Sequence, residues 1–428
     1  MKFKKMGTVV LATLATVALA ACGSSNDSKD SGESDKIVTE IKDKTEITFW
    51  HAMNGAQEEA LTKITEDFMK ENPNIKVTLQ NQGQYSDMQA KINSTLQSPK
   101  DLPTITQAYP GWLWNAAQDD MLVDLKPYME DKTIGWGDQE EIRDALLKGA
   151  QIDGTQYGIP FNKSTEALVY NADMLKEYGV EVPTTLEEFA KACETIYEKS
   201  NHEVVGGGFD SLNNYYAIGM ENKGVEFNKD LDFTGSESKE VINYYLDGIK
   251  NGSMRIAGSD KYLSGPFANE KVAMFIGSIA GEGYVKQDTE GKFEYGVAPR
   301  PEKINIQQGT DVYMFDSATA EQKTAAYLLL KYMSTPDVQL YWAEQTGYMP
   351  ILQSVLDSSE YKESENTKVP AILSEATKEL FAIPVEENAD PAYNEVRSIM
   401  ENIYSNPDKD TDELIKQGAS QLQDAWNQ

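Results

Sequence analysis

Two cysteines, Cys22 and Cys193, and two histidines, His51 and His202, are all the thiol and imidazole groups that 428 residues provide. The members of each pair stand far apart in sequence, so neither a zinc cluster nor a Ser-His or Cys-His nucleophile pair is well supported. Carboxylates are abundant, 69 against 39 lysines and arginines. Glycoside hydrolysis uses two of them, which keeps a secreted carbohydrate-active enzyme among the readings, yet no local acid/base pair stands out and most of these groups read as a solvated surface. Gly206-Gly207-Gly208 lacks the lysine of a phosphate-cradling loop and reads as a turn. No catalytic residue, metal or cofactor is expected. The net charge of -30 excludes nucleic acid, whose phosphates demand a basic footprint, and electrostatic adhesion to an anionic membrane; it favours solubility instead.

The chemistry of Cys22 lies elsewhere. Lys2, Lys4 and Lys5 precede an apolar stretch from Val9 to Ala21, the pattern of an export signal. The stretch is too short and too rich in Ala and Thr for a spanning helix, which needs about 20 apolar residues. Leu19-Ala20-Ala21-Cys22 resembles the bacterial lipobox, which implies that the Cys22 thiol receives a diacylglyceryl group before cleavage and holds the protein to the cell membrane from outside the cytoplasm. Residues 23–44, rich in Ser, Asp, Gly and Lys, then read as a flexible tether. With Cys22 acylated, Cys193 has no partner for an intramolecular disulfide. It recurs with Leu186, Phe189 and Ile196 at helical spacing, which predicts a small buried hydrophobe.

About 385 residues remain, enough for two lobes. Glu46–Trp50 alternates as a strand, Gln57–Lys70 places Leu61, Ile64 and Phe68 on one helical face, and Asn72-Pro73-Asn74 breaks the chain before a strand at Ile75–Leu79. Strand, helix, strand at this spacing predicts a βαβ unit in a parallel sheet with ligand sites at strand ends. The alternation continues: a helix at Tyr85–Leu96, strands at Leu102–Gln107, Tyr157–Pro160, Leu168–Asn171, Val272–Ile276 and Tyr295–Pro299, and a helix at Ala318–Met333. Thr185 and Glu188 have capping-box spacing ahead of another helix. The fold class is α/β throughout.

Phe49-Trp50-His51, Asn72-Pro73-Asn74-Ile75-Lys76-Val77, Tyr157-Gly158-Ile159-Pro160 and Tyr170-Asn171, followed by Lys271-Val272-Ala273-Met274, Tyr295-Gly296-Val297-Ala298-Pro299, Ser334-Thr335-Pro336 and Thr346-Gly347-Tyr348-Met349-Pro350, resemble in their order the family 1 extracellular solute-binding proteins. The resemblance implies a two-lobed periplasmic-binding-protein-like fold with a hinge and a ligand cleft between lobes. Lobe 1 would comprise 45–158 and 311–348 and lobe 2 would comprise 159–310 and 349–428, after a signal peptide at 1–22 and the tether at 23–44. Crossings would fall near Tyr157–Phe161, Ile304–Asp311 and Tyr348–Leu352. Phe49-Trp50-His51-Ala52-Met53 is similar to the opening of the sn-glycerol 3-phosphate-binding members, and that similarity implies ligand contacts at Tyr85, Ser164, Ser278, Gly309, Tyr348 and Arg397.

These residue types suit a polyol phosphate. The Arg397 fork can hold two phosphate oxygens while Ser164, Ser278 and the Gly309 N–H donate without adding charge, and Tyr85 and Tyr348 offer a flat apolar ring with a hydroxyl. Trp50, Tyr109, Trp112 and Trp114 form a second set of aromatics that could stack on a sugar. Pro110 stands where the pattern has an acidic residue, and Phe209–Tyr216 replaces a tryptophan-rich stretch, so both a glycerophosphodiester and an oligosaccharide stay open as ligands. The implied partners are a small polyol phosphate or sugar, the permease subunits and ATPase of an ABC-type importer, and the membrane through the Cys22 lipid. The protein itself is expected to be a monomer and not an enzyme.

Overall fold

The computed structural model describes residues 37–137 and 139–428, so the expected signal peptide, the lipobox cysteine and the tether up to residue 36 lie outside the described residues. Eight strands carry the architecture: β1 (Thr45–His51), β2 (Ile75–Asn81), β3 (Ile105–Ala108), β4 (Gly158–Pro160), β5 (Glu166–Asn171), β6 (Met274–Ser278), β7 (Tyr295–Pro299) and β8 (Asp311–Met314). The helices that matter for the site are α1 (Ala56–Glu71), α2 (Tyr85–Thr95), α3 (Leu186–Lys199), α4 (Leu212–Asn222), α5 (Ala320–Met333) and α6 (Ala389–Tyr404).

The first sheet has the order β2-β1-β3-β8-β4. β1 runs parallel to β2 and β3, with Ile47 beside Val77 and Phe49 beside Ile105. The βαβ expectation therefore holds for β1-α1-β2, where Leu61, Ile64 and Phe68 of α1 are buried. β8 is antiparallel to β3 and to β4, because the chain re-enters this sheet from its far side after the second sheet is complete, which makes it mixed rather than purely parallel. The second sheet, β6-β5-β7, is antiparallel, with Leu168 beside Ile276 and Val169 beside Val297. Phe189, Cys193 and Ile196 of α3 are buried in the hydrophobic cluster on this sheet, so Cys193 is the core residue its spacing predicts. Thr185 caps α3 by accepting the Glu188 N–H at 3.1 Å, and the Glu188 carboxylate accepts the Thr184 N–H at 2.8 Å.

Two expectations need correction. Gly206-Gly207-Gly208 is not a turn: the segment runs extended beside β6, with bridges Val205–Val272, Gly207–Met254 and Phe209–Ile276. The tether does not stay free to Lys44, since Ile37 and Ile41 pack against the first cluster and the Thr324 hydroxyl of α5 donates to the Val38 carbonyl at 2.6 Å. Met349, Ile351, Leu352, Tyr361, Val369 and Leu373 pack in a cluster that also takes in Ala167 of β5 and Ile279 after β6, so this stretch touches both sheets.

The three passages between the sheets lie side by side. Ser164 and Gln308 exchange backbone hydrogen bonds of 2.8 and 2.9 Å, the Met349 N–H donates to the Lys163 carbonyl at 2.8 Å, and the Gln307 N–H donates to the Phe381 carbonyl at 2.7 Å. Lys163, buried to 3% exposure, ion-pairs with Asp311 at 2.9 Å and donates to the Gly309 carbonyl at 3.0 Å. Gly309 has φ +96, and a Cβ there would stand 2.0 Å from the Asn162 carbonyl oxygen, so only glycine allows the two backbones to approach this closely.

Candidate functional site

The first sheet delivers its residues to the strand ends that face these passages. Gln107, near the end of β3, donates to the Asn162 side-chain oxygen at 3.1 Å and accepts the Ala52 N–H at 3.1 Å. The same Asn162 oxygen accepts the Thr310 hydroxyl at 2.7 Å, and the Asn162 amide nitrogen donates to the Tyr85 hydroxyl at 3.1 Å. That hydroxyl lies 3.2 Å from the hydroxyl of Tyr348. A buried chain of amides thus fixes both tyrosine hydroxyls, and the rings are fixed as well: Tyr348 stacks on Trp342 at 5.8 Å and 4°. Around Tyr85 stand Tyr109, with ring centroids 5.9 Å away, and Trp112 at 6.2 Å, themselves 5.2 Å apart. Burial pushes the hydroxyls of Tyr85, Tyr109 and Tyr348 above the ordinary tyrosine value, so they stay protonated donors.

Of the residues implied by sequence, Tyr85, Tyr348, Tyr109, Trp112, Ser164 and Gly309 come together at this edge of the first sheet. The Gly309 amide offsets part of the burial effect on Tyr109, which places it against that hydroxyl. Trp50 does not join them: it is 4% exposed, belongs to a core cluster with Met88 and Ile92, and donates its indole N–H to Gln80 at 2.7 Å. Trp114 is half-buried against the same cluster.

The second sheet and α6 provide the other wall. Ser278 ends β6, and its hydroxyl accepts the Ala280 N–H at 3.2 Å. Arg397, exposed on α6, places Nε and Nη2 each 3.3 Å from the Asn213 side-chain oxygen. Its charge opposes the burial that raises the hydroxyl pKa of Tyr109 and of Tyr393. Among the described residues no carboxylate lies within ion-pair distance of it. Gln89 of α2 donates to Asp390 of α6 at 2.7 Å, a direct contact between the two walls. Behind them Asn214 donates to Glu166 and to Gln308, each at 2.7 Å, and Glu166 pairs with Arg300.

Sequence reasoning missed Asn162, Gln107, Thr310 and Asp210. Asn162 stands two residues before Ser164, so its signal was present. Asp210 had none. It follows the extended 205–209 segment, its Oδ1 accepts the Leu263 N–H at 2.6 Å, and burial raises its carboxyl pKa to about 7, with the Glu166 charge adding to the effect. A carboxyl whose folded value is raised binds its proton more tightly folded than unfolded, so its contribution to stability falls as pH rises from about 4 to 7 and is constant above. Asp210→Asn removes this titration. The variant should therefore gain stability over the parent progressively across that window in urea melts taken from pH 4 to 8, and a pH-independent difference would contradict the burial argument.

Among the described residues no group of three or more His, Cys, Asp or Glu side chains could hold a metal ion, and no helix is long and apolar enough to cross a membrane. The family model described as bacterial extracellular solute-binding protein matches residues 63–370. The maltotriose-binding protein of Pyrococcus abyssi is 21% identical over 373 residues, covering 84% of this chain and 78% of the relative. The sn-glycerol-3-phosphate-binding periplasmic protein UgpB of Yersinia pseudotuberculosis is 23% identical over 336 residues, 72% of this chain and 74% of its own. Among solved structures, UgpB of Mycobacterium tuberculosis in complex with glycerophosphocholine superposes with a TM-score of 0.78 at 18% identity, over 90% of this chain and 98% of that one. The GacH receptor of Streptomyces glaucescens gives 0.77 at 21%, over 89% and 98%. These likenesses give the fold, and the proteins named are binding proteins rather than enzymes.

Proposed function

Starting from a chain that belongs to the bacterial extracellular solute-binding proteins, we propose that it is the lipid-anchored component of its importer and that it captures glycerol 3-phosphate or a glycerophosphodiester. The coarser role comes with the family: it is the substrate-binding protein of an ABC importer, working with permease and ATPase subunits. The observation that carries the ligand assignment is Arg397, exposed on α6 and held only by the neutral amide oxygen of Asn213. A guanidinium oriented by a neutral acceptor keeps its charge uncompensated and its fork aligned, which is what a phosphate oxygen pair requires. Ser278 adds a donor without charge, the Gly309 N–H steadies the Tyr109 hydroxyl, and the tyrosine hydroxyls face the glycerol moiety. The relatives that bind sn-glycerol-3-phosphate, and the structural neighbour holding glycerophosphocholine, favour the same ligand class.

The adjacent passages at 161–166, 304–310 and 376–389 serve as the hinge, so that ligand contacts from both walls draw the lobes together. A second reading, a neutral oligosaccharide, rests on the wall of Tyr85, Tyr109 and Trp112 and on the maltotriose-binding relative.

Thermal unfolding of residues 23–428 with glycerol 3-phosphate, glycerophosphocholine and a panel of di- and trisaccharides tests the assignment, since a ligand at about 100 times its Kd adds about 2.7 kcal/mol of stability. A rise in Tm with a phosphate compound is expected. A rise with saccharides alone keeps the importer role and moves the ligand to the second reading. Anchoring is tested separately in the full-length chain, where Cys22→Ser should move the protein from the detergent phase to the aqueous phase.

A further inference from the structure

Two contacts join the walls directly, and neither is among the contacts assigned to a ligand. The first lies between α2 and α6. Met88 and Ile92 fasten α2 into one cluster with Trp50 of the first sheet, while Val396 and Ile399 fasten α6 into one cluster with Leu168 of the second. Gln89 of α2 donates its side-chain amide to Asp390 Oδ2 at 2.7 Å. Asn394, one turn further along α6, donates to the same oxygen at 3.1 Å, so the acceptor is aimed by its own helix. The walls also meet by shape here, because a Cβ on Gly111 would stand 3.1 Å from the Asp390 Cβ.

The second contact lies between the start of α1 and the helix Glu282–Thr289. Leu61 and Ile64 hold α1 in one cluster with Ile47 and Val77 of the first sheet, and Val285 holds the other helix in one cluster with Val169 of β5 and Phe275 of β6. The Tyr284 hydroxyl donates to the Asn54 side-chain oxygen at 2.8 Å and lies 3.2 Å from the Asn54 carbonyl oxygen. A Cβ on the next residue, Gly55, would stand 3.7 Å from the Tyr284 ring. A hydrogen bond made only while the walls are together stabilises the closed form and not the open one. A ligand held from both walls binds the closed form, so its apparent Kd is the intrinsic value divided by the closed fraction. The strength of these two contacts therefore scales the affinity of any ligand that the cleft takes. The Gln89 contact is the stronger, since its acceptor is a carboxylate and that of Tyr284 a neutral amide.

We propose that Gln89 with Asp390, and Asn54 with Tyr284, latch the cleft: they are positioning residues that hold the walls together from the protein side and set ligand affinity without touching the ligand. The latch rests on the solute-binding role and not on which ligand the cleft takes.

The experiment compares residues 23–428 with Gln89→Ala, with the double variant Gln89→Ala/Tyr284→Phe and with Gly111→Val. Small-angle X-ray scattering reads the ligand-free proteins, and calorimetric titration reads binding of glycerophosphocholine and of maltotriose. Alanine favours the helix that Gln89 belongs to, and Tyr284→Phe removes a hydroxyl alone, so neither change threatens the fold. Gly111→Val removes no polar group and acts as a wedge between the walls. The double variant and Gly111→Val should each show a larger radius of gyration than the parent without ligand. Each should also bind whichever probe the parent binds about 10-fold more weakly, with Gln89→Ala alone giving most of the loss. A parental radius of gyration in both overturns the latch even where affinity falls, because weaker binding without opening would make these residues ligand contacts. Parental affinity in variants that have opened overturns it as well. A parent that binds neither probe overturns the ligand assignment alone, and the scattering comparison still decides the latch.

Discussion

Arg397→Ala is expected to weaken glycerophosphocholine binding by about 100-fold while leaving the affinity for any neutral saccharide within about twofold. A hydrogen bond to a charged group contributes about 1.5–3 kcal/mol, and a loss near 2.7 kcal/mol is about 100-fold in Kd. The loss stays this large because no nearby carboxylate competes for the guanidinium in the free protein; its protein partner is the Asn213 amide oxygen at 3.3 Å. Arg397→Lys keeps the charge and removes the planar fork, so it should recover only part of the affinity. Parental affinity in Arg397→Ala, read by calorimetry, would reduce this arginine to a tie between α6 and α4.

The largest effect on stability is expected at Lys163. Its ammonium is 3% exposed, the Asp311 carboxylate 0%, and the two are 2.9 Å apart. Burial raises the Asp311 pKa and the Lys163 charge opposes that rise, so removing the lysine leaves a carboxyl with neither water nor a counter-ion. Breaking a buried pair from one side costs about 3–5 kcal/mol, whereas replacing both partners by apolar groups of similar size is often nearly neutral. Lys163→Ala should therefore lower the urea midpoint steeply, and the pair Lys163→Met with Asp311→Leu should restore most of it. Equal losses in the single and double variants would show that the pair is held by something other than its own charges. Because Lys163 also holds the Gly309 carbonyl, the single variant should loosen the passage that presents the Gly309 N–H and weaken ligand binding beyond the loss of fold.

The fold was most legible where local pattern and tertiary role coincide. The alternation through Thr45–His51 and the 3.6-residue spacing of Leu61, Ile64 and Phe68 each describe one buried face, and nothing distant contradicts them. Legibility failed where two environments accept the same pattern. Ile37 and Ile41 were read as part of a polar tether because their neighbours are charged, although their spacing of four suits one docked face. Glycines 206–208 suggested a turn because composition does not register a segment pressed extended against α3.

The site divides in the same way. Tyr85, Ser164, Gly309 and Tyr348 were named through the resemblance, and they meet because the passages at 162–164 and 308–310 are paired. The amides that hold the tyrosine hydroxyls could not be found so: Gln107 and Asn162 are 55 residues apart, and either alone is an ordinary polar residue. Asp210 was one acid among 69. Its distinction is the burial that raises its pKa, a property of the folded surroundings and not of its neighbours in sequence.

The measurement that tests the central account most directly is equilibrium dialysis of residues 23–428 against glycerophosphocholine, followed by recovery of the ligand. The account predicts one ligand retained per chain, saturably, released unaltered on unfolding, with retention lost in Arg397→Ala. Failure to retain the ligand while a saccharide is held would contradict the phosphate site, and recovery of a cleaved ligand would contradict the binding role itself.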